Sequence, residues 1–578
     1  MEELEEVQAE EVNELEWQEV EVSDNPVAGQ MEEELEEVEW EEDEEESFVV
    51  QVEEEFEEEV REEVEWEEED EDKKDEWEEE VIEEAGDESL VEQLEEVVGE
   101  VVEWEEGDEF LGGQQLQQSP NPDRTIFTSA APGKVNLLVT FADVQMSTLA
   151  LASANSIGGP LERHEVRSTL QDIAAKSQEN VLNFLQSSRR LQEGDQPIRT
   201  TSYWISNEIY IADADPELQA QLMTMEGVKN VAIEEEYVIE QSDQIWEEEG
   251  LDAIEVNAEN VNVQWGVDRV RAPEAWAQNI KGRGITVGII DSGVRHSHVL
   301  LESNYGNYWH DPFDGTTTPN DDNGHGTHVT ATIVGSGGYG VAPEARWIAC
   351  KGCKGRCPQH ALLECAQFML CPDPDNNCAG APNVVNNSWG GNKGGSDWFQ
   401  SSVDAWEAAG IIPVFSAGNN GSAGCGSIRS PGDYENVLTF GSSDIGNGLS
   451  HFSSTGPTSQ GLMKPDVTAP GSDIVSAHSM SDHALARMSG TSMAAPHGTG
   501  VVALMLSNNS KLTFDSIKTR LQQSAKLSQD RLISQQQCSP NERGFPNNDF
   551  GHGVIDAPTA LAQLNRPITM AKSSKLFP

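Results

Sequence analysis

The chain has 578 residues, 106 of them acidic and 34 basic, for a formal net charge of −72. Fifty-six of the acids fall in residues 1–110 against three bases (Arg61, Lys73, Lys74), which leaves −19 for the remainder. No basic stripe is present to bind nucleic acid, no run of 18 apolar residues is present to span a membrane, and the length leaves room for roughly two to four domains.

Residues 1–111 form an acidic, low-complexity tract in which a Val/Glu-Trp-Glu-Glu theme recurs around Trp17, Trp40, Trp66, Trp77 and Trp104. Self-repulsion opposes a packed core there, so disorder or fraying helix is expected. The sharper alternative is weak binding of calcium or a cationic partner, although no EF-hand spacing occurs. Residues 112–131 read as a linker. A compact α+β order follows over 132–240: a strand at 133–143, an amphipathic helix at 161–188, a strand at 202–213, a helix at 216–225 and a strand at 228–237. Arg189-Arg190 reads as a helix-end pair rather than a processing site. After a linker at 241–262, residues 263–568 alternate apolar and helical runs: 285–290, 325–335, 345–350, 359–370, 382–388, 396–409, 411–416, 436–441 and 492–507. That alternation predicts an α/β fold, a parallel sheet with helices on both faces. Residues 569–578 are a tail.

Three segments carry chemistry: ITVGIIDSGV at 285–294, NGHGTHVTAT at 323–332 and SGTSMAAPHGTG at 489–500. They set Asp291 at the end of a β-branched run suited to a buried parallel strand, His325 among glycines near a helix start, and Ser492 before a long apolar helix. These are a nucleophile, its general base and the carboxylate that holds that base in one tautomer. The buried run IIPVFSAGNNG at 411–421 brings forward Asn419 as a side-chain donor to an oxyanion, with the Ser492 amide as the second donor. His328 and His497 read as helix-face residues, and Asp466 as structural.

With DSG, HGTH and GTSMAAP intact and in that order, and with VVNNSWGG at 384–391 and GHGVIDAPTAL at 551–561, residues 262–566 resemble a subtilisin-like serine peptidase (subtilase). The segment from WIAC to APNVVNNSWGG resembles the bacillopeptidase F type of that family. The resemblance implies Asp291, His325 and Ser492 as the triad and Asn419 as the oxyanion residue. It implies Ser388, Trp389 and Gly390 as the edge that pairs with substrate backbone and walls the first pocket. It also makes residues 132–240 similar to an inhibitor-type propeptide that leads into the active site, with a maturation cut somewhere in 238–262.

Six of the eight cysteines lie in 350–378 (Cys350, Cys353, Cys357, Cys365, Cys371, Cys378), with Cys425 and Cys538 apart. Disulfides in an oxidising compartment are the expectation, and their connectivity is open. Cys350-x2-Cys353 offers zinc a starting point, but the later spacings match no standard module. This insertion is expected at the rim of the substrate cleft. The stretch 330–345 leaves no room for the calcium loop that many subtilisins insert in the His helix. A weak structural calcium site using Asp321 or Asp322 remains open; no cofactor is required. The first 30 residues hold no apolar signal core, yet propeptide and cysteines point to an extracellular destination.

The reading is a monomeric serine endopeptidase acting on polypeptides, made as a self-processing zymogen with its own propeptide as inhibitor. The alternatives are a non-catalytic binding protein on a subtilase scaffold and a permanently latent zymogen.

Overall fold

The computed structural model describes residues 133–142, 162–188, 199–239, 243–245, 263–373, 375, 377–525, 538 and 545–562. The acidic tract, the linker at 112–131, Arg189-Arg190, the tail and most of 241–262 lie outside them. The chain divides into units 1–119 and 120–578, and every described residue belongs to the second.

The sheet that organises the site is seven-stranded. In chain order its members are β7 (Thr286–Asp291), β8 (Tyr305–His310), β9 (Arg346–Lys351), β11 (Val384–Asn387), β13 (Ile412–Ser416), β14 (Leu438–Ser443) and β15 (Val467–Pro470). In space they run β15-β14-β13-β11-β7-β9-β8, with every neighbouring pair parallel. Its central strands read as unbroken apolar runs because helices cover both faces. Among those helices are α3 (His325–Val334), α4 (Gln359–Leu370), α5 (Gln400–Ala408), α6 (Thr491–Asn508) and α7 (Phe514–Ser524). α3 and α6 pack together on one face and share a core with Val287, Ile289, Val384, Val414 and Phe440. On the other face α4 and α5 pack around Ile290, Ile348, Val385 and Phe415.

N-terminal to this lies a four-stranded antiparallel sheet, ordered β2-β3-β1-β4, from β1 (Val135–Phe141), β2 (Arg199–Tyr203), β3 (Glu208–Ala214) and β4 (Val228–Ile233). Helices α1 (Arg163–Ser188) and α2 (Pro216–Leu222) complete this α+β layer. Two strand expectations need correction. The stretch 202–213 is a hairpin rather than one strand, because Asn207 adopts a left-handed conformation (φ 54°) that asparagine tolerates at a turn. The stretch 228–237 breaks after Ile233, and its second half leaves the small sheet as β5 (Glu236–Ile239).

β5 pairs antiparallel with β10 (Cys357–Pro358) on one side and β12 (Trp389–Gly390) on the other. β6 (Asp243–Ile245) pairs with β17 (Leu485–Ser489), which also pairs with β16 (Ile474–Ala477). The small layer and the large one share a core: Leu138, Val166, Leu170, Tyr203 and Tyr210 are buried in one cluster with Leu362, Cys365 and Met369 of α4 and its surroundings. Polar contacts reinforce it. Arg163 donates to the carbonyls of Ala381 and Pro382, both at 2.8 Å, and buried Glu234 accepts from the ring and backbone of His360.

All eight cysteines are paired: Cys350–Cys365, Cys353–Cys357, Cys371–Cys378 and Cys425–Cys538. The zinc alternative falls, because Cys350 and Cys353 belong to different disulfides. Cys353–Cys357 closes the turn that leads into β10, which sets the cysteine-rich insertion beside β5.

Candidate active site

Three adjacent strands of the parallel sheet, β7, β11 and β13, end at Asp291, Asn387 and Ser416. The segments that follow them converge at the carboxyl edge, where open α/β sheets carry their sites. Asp291 is the last residue of its strand and is buried.

His325 opens α3. The helix start is shaped by Gly324, whose φ of 97° favours glycine and where a Cβ would come within 2.0 Å of His478 Nε2. Asp321 caps the turn. One oxygen takes the backbone N–H of Asn323 (3.0 Å) and Gly324 (2.8 Å) and the Ser292 hydroxyl; the other takes the N–H and hydroxyl of Thr327. Both oxygens are thereby used, while Asp322 pairs with Lys351. Among the described residues no cluster of three or more His, Cys, Asp or Glu side chains is arranged for a metal ion.

His325 Nδ1 lies 2.7 Å from Asp291 Oδ1, which also accepts the Ser292 N–H at 2.8 Å. Both side chains are buried. Next to a carboxylate Nδ1 carries the proton, so Nε2 is the basic nitrogen. Nε2 is buried and has no hydrogen-bond partner among the described residues. An imidazole held this way can take a proton from a nearby hydroxyl.

Ser492 is the second residue of α6, where unpaired helical N–H groups favour developing negative charge. Its hydroxyl donates to the Ser388 carbonyl at 3.2 Å, while Ser388 Oγ donates to the Ser492 carbonyl at 3.0 Å. Asn419 Oδ1 accepts both the N–H and the hydroxyl of Thr491, each at 2.8 Å. A backbone N–H only donates, so the amide oxygen faces Thr491 and the NH2 group faces away from it.

Trp389 and Gly390 pair antiparallel with Ile239 and Val238 of β5. The Trp389 indole contributes to the core. It is fully buried, edge-on to Phe399 and Phe415 at ring separations of 5.3 and 5.5 Å. Tyr237 of β5 packs against it and against Trp398.

The other candidates are structural. His328 Nε2 faces the carbonyls of Ile474 and Ala486, and His497 Nδ1 donates to the Met493 carbonyl. Burial pushes their pKa values down to about 3 and about 4, so both stay neutral. Asp466 forms a buried pair with Lys464 at 2.8 Å. Sequence reasoning missed Asp321 as the helix cap, Thr491 as the partner of Asn419, and Tyr237. The spacing of Asp321 before HGTH was the one available signal.

The parallel sheet, the buried carboxylate–imidazole pair and the helix-borne serine define the class: a serine endopeptidase. The chain belongs to the subtilase family, whose profile matches residues 282–553. It is 34% identical over 429 residues to Bacillopeptidase F of Bacillus subtilis (strain 168), an overlap covering 69% of this chain and 29% of that protein. It is 32% identical over 270 residues to Subtilisin DY of Bacillus licheniformis, covering 46% of this chain and 91% of that protein. Serine protease AprX of Bacillus subtilis (strain 168) is 34% identical over 278 residues, 42% of this chain and 62% of that protein. The chain thus spans less than a third of Bacillopeptidase F but nearly all of Subtilisin DY. No helix among the described residues is long and apolar enough to cross a membrane.

Proposed function

We propose that this chain is the precursor of an extracellular serine endopeptidase, held inactive by residues 132–240 until it cuts itself. In this reading residues 1–111 are an acidic tract, 112–131 a linker, 132–240 an inhibitor-type propeptide, 241–262 a processing linker, 263–568 the peptidase and 569–578 a tail. Ser492 attacks the scissile carbonyl carbon after its side chain turns from the Ser388 carbonyl to His325 Nε2, which takes the proton. Asp291 holds the ring and stabilises the imidazolium, and Asn419 with the Ser492 amide binds the oxyanion. The C–N bond breaks as His325 returns the proton to the leaving amine. Water, activated by the same base, then releases the acyl group from Ser492. The chain's own side chains and water are the only reagents drawn on.

The observation that carries the zymogen reading is β5 lying along Trp389–Gly390, beside the segment that holds Ser492. An extended chain there occupies the edge a substrate would pair with. The second pairing, of β6 with β17, sets Asp243 opposite Ser489, three residues before Ser492 in the chain. In this reading the maturation cut falls between Ile239 and Asp243, inside the stretch 238–262 that the family resemblance implied. Four disulfides favour an oxidising, extracellular setting, and the peptidase is taken to act as a monomer.

Electrophoresis and N-terminal sequencing of the purified chain test this reading. Self-cleavage at 239–243 that Ser492→Ala abolishes supports it. An intact chain that hydrolyses no peptide supports a latent or purely binding protein instead.

A further inference from the structure

We propose that Arg429 sets the specificity of this site: the pocket beside Ser492 selects a carboxylate side chain, so the enzyme cuts after glutamate, its own Glu240 included. The proposal rests on the serine-peptidase reading above and names the substrate class of that site.

Four segments are hydrogen-bonded to one another in a group that includes Ser492: Ser388–Gly391, Ser416–Asn419, Ile428–Gly432 and Gly490–Ser492. They are stitched together. Gly391 N–H donates to the Ser430 carbonyl at 2.9 Å, and Arg429 N–H to the Ala417 carbonyl at 3.1 Å. Gly418 N–H donates to the Thr491 hydroxyl at 3.2 Å. Arg429 is thus held between the ends of the two strands that precede the substrate edge and the oxyanion residue.

Its stem lies directly over Gly418, where a Cβ would come within 2.9 Å of Arg429 Cγ and 3.0 Å of Cδ. Gly418, at φ 105°, precedes Asn419 in the chain, so the absence of a side chain there is what admits the arginine. Arg429 is the only ionisable residue in the four segments, and it is half-buried. A guanidinium is permanently charged and presents its donors in a planar fork that matches a carboxylate. Partial exclusion of water strengthens that attraction over its bulk value.

The chain's own sequence fits this preference. Val238 is paired with Gly390 and Ile239 with Trp389. The next position on that edge is Ser388, whose carbonyl holds the Ser492 hydroxyl, and the next residue of the chain is Glu240. Asp243 is already paired with Ser489, three residues before Ser492. The bond assigned to maturation is Glu240–Gln241. Its C–N bond breaks, water supplies a hydroxyl to the Glu240 carbonyl carbon, and the remaining proton goes to the new Gln241 amine.

The test uses the matured enzyme and blocked peptides of sequence Tyr-Val-Ile-Xaa-Gln-Ser with Xaa as Glu, Gln, Phe or Lys. Active sites are counted with a fluorophosphonate probe. The expected result is a kcat/KM for Glu about tenfold to a hundredfold above that for Gln. Arg429→Ser should bring the Glu-to-Gln ratio close to one, and Arg429→Lys should retain part of it. A ratio is unaffected by the fraction of folded enzyme, so partial misfolding of a variant does not blur the outcome. N-terminal sequencing of the matured chain should begin at Gln241. Hydrolysis with no preference for Glu, a preference that survives Arg429→Ser, or a cut after Gln241 would overturn the proposal while leaving the peptidase reading intact. Hydrolysis of none of the peptides, with no labelling, would sink both.

Discussion

Ser492 and Ser388 hold each other through two hydrogen bonds, the hydroxyl of each donating to the carbonyl of the other. The nucleophile is therefore parked on the substrate edge, with His325 Nε2 left unpartnered among the described residues. Catalysis in the proposed reading requires that hydroxyl to turn, and the base waiting for it is oriented from behind by Asp291. Asp291→Asn preserves the shape but offers an NH2 group to Nδ1 and so favours the wrong tautomer. The expected outcome is a loss of about 10⁴ in kcat with a normal melting temperature, measured on an Asp291→Asn chain cut at the maturation site by another protease.

Asn419 is anchored by its oxygen, not by its NH2 group. Asn419→Ala should lower kcat by about 10² to 10³ while KM changes little, because the lost donor matters only as negative charge develops. Steady-state kinetics on a single peptide separate the two parameters. A rise in KM with kcat unchanged would assign Asn419 to ground-state binding instead.

His328 and His497 make the peptidase layer acid-sensitive. Their folded pKa values, about 3 and about 4, lie below the ordinary value of 6.5. Such groups contribute stability fully above pH 6.5, and that contribution is lost progressively as pH falls toward the folded values. Together the loss amounts to several kcal/mol in the limit, by roughly 1.4 kcal/mol per pKa unit. Melting of the Ser492→Ala chain should fall steeply between pH 6.5 and 4, and His497→Gln should flatten the fall.

Glu208 does the opposite in the small layer. It is buried at the start of β3, where Thr140 donates to one oxygen at 3.1 Å. Burial raises its pKa to about 7 from 4.5. The carboxyl therefore prefers to stay protonated in the folded state, and its destabilising effect grows from pH 4.5 and is complete above pH 7. Hydrogen exchange of β1 and β3 in the Ser492→Ala chain, corrected for intrinsic rates, should show weaker protection at pH 8 than at pH 5.5. Glu208→Gln should remove that difference.

What was legible in the sequence is what short segments determine locally. ITVGIID must be a buried strand, and glycines around His325 announce a helix start, so the parallel sheet and the pairing of Asp291 with His325 were legible from the chemistry of those segments and the family resemblance they carry. That EEEYVI at 234–239 leads toward the active site was implied by the resemblance, but the point at which it breaks from the small sheet was not legible. Its alternation continues a strand, and only the open edge of Trp389–Gly390 on a distant segment explains why Tyr237 leaves the small sheet. The cysteine pairing was equally hidden, because Cys350 joins Cys365 through the packing of β9 against α4. Arg429 stands in no motif, and its meaning appears only when Gly418 is seen beneath its stem.

The central claim is that Ser492 is an activated nucleophile in a chain that matures itself. It is tested most directly by treating the expressed protein and Ser492→Ala with a fluorophosphonate probe and recording mass and labelling together. The account predicts one label on a shortened wild-type species and none on the full-length variant. A folded chain, cut free of residues 132–240 yet unlabelled, would contradict it.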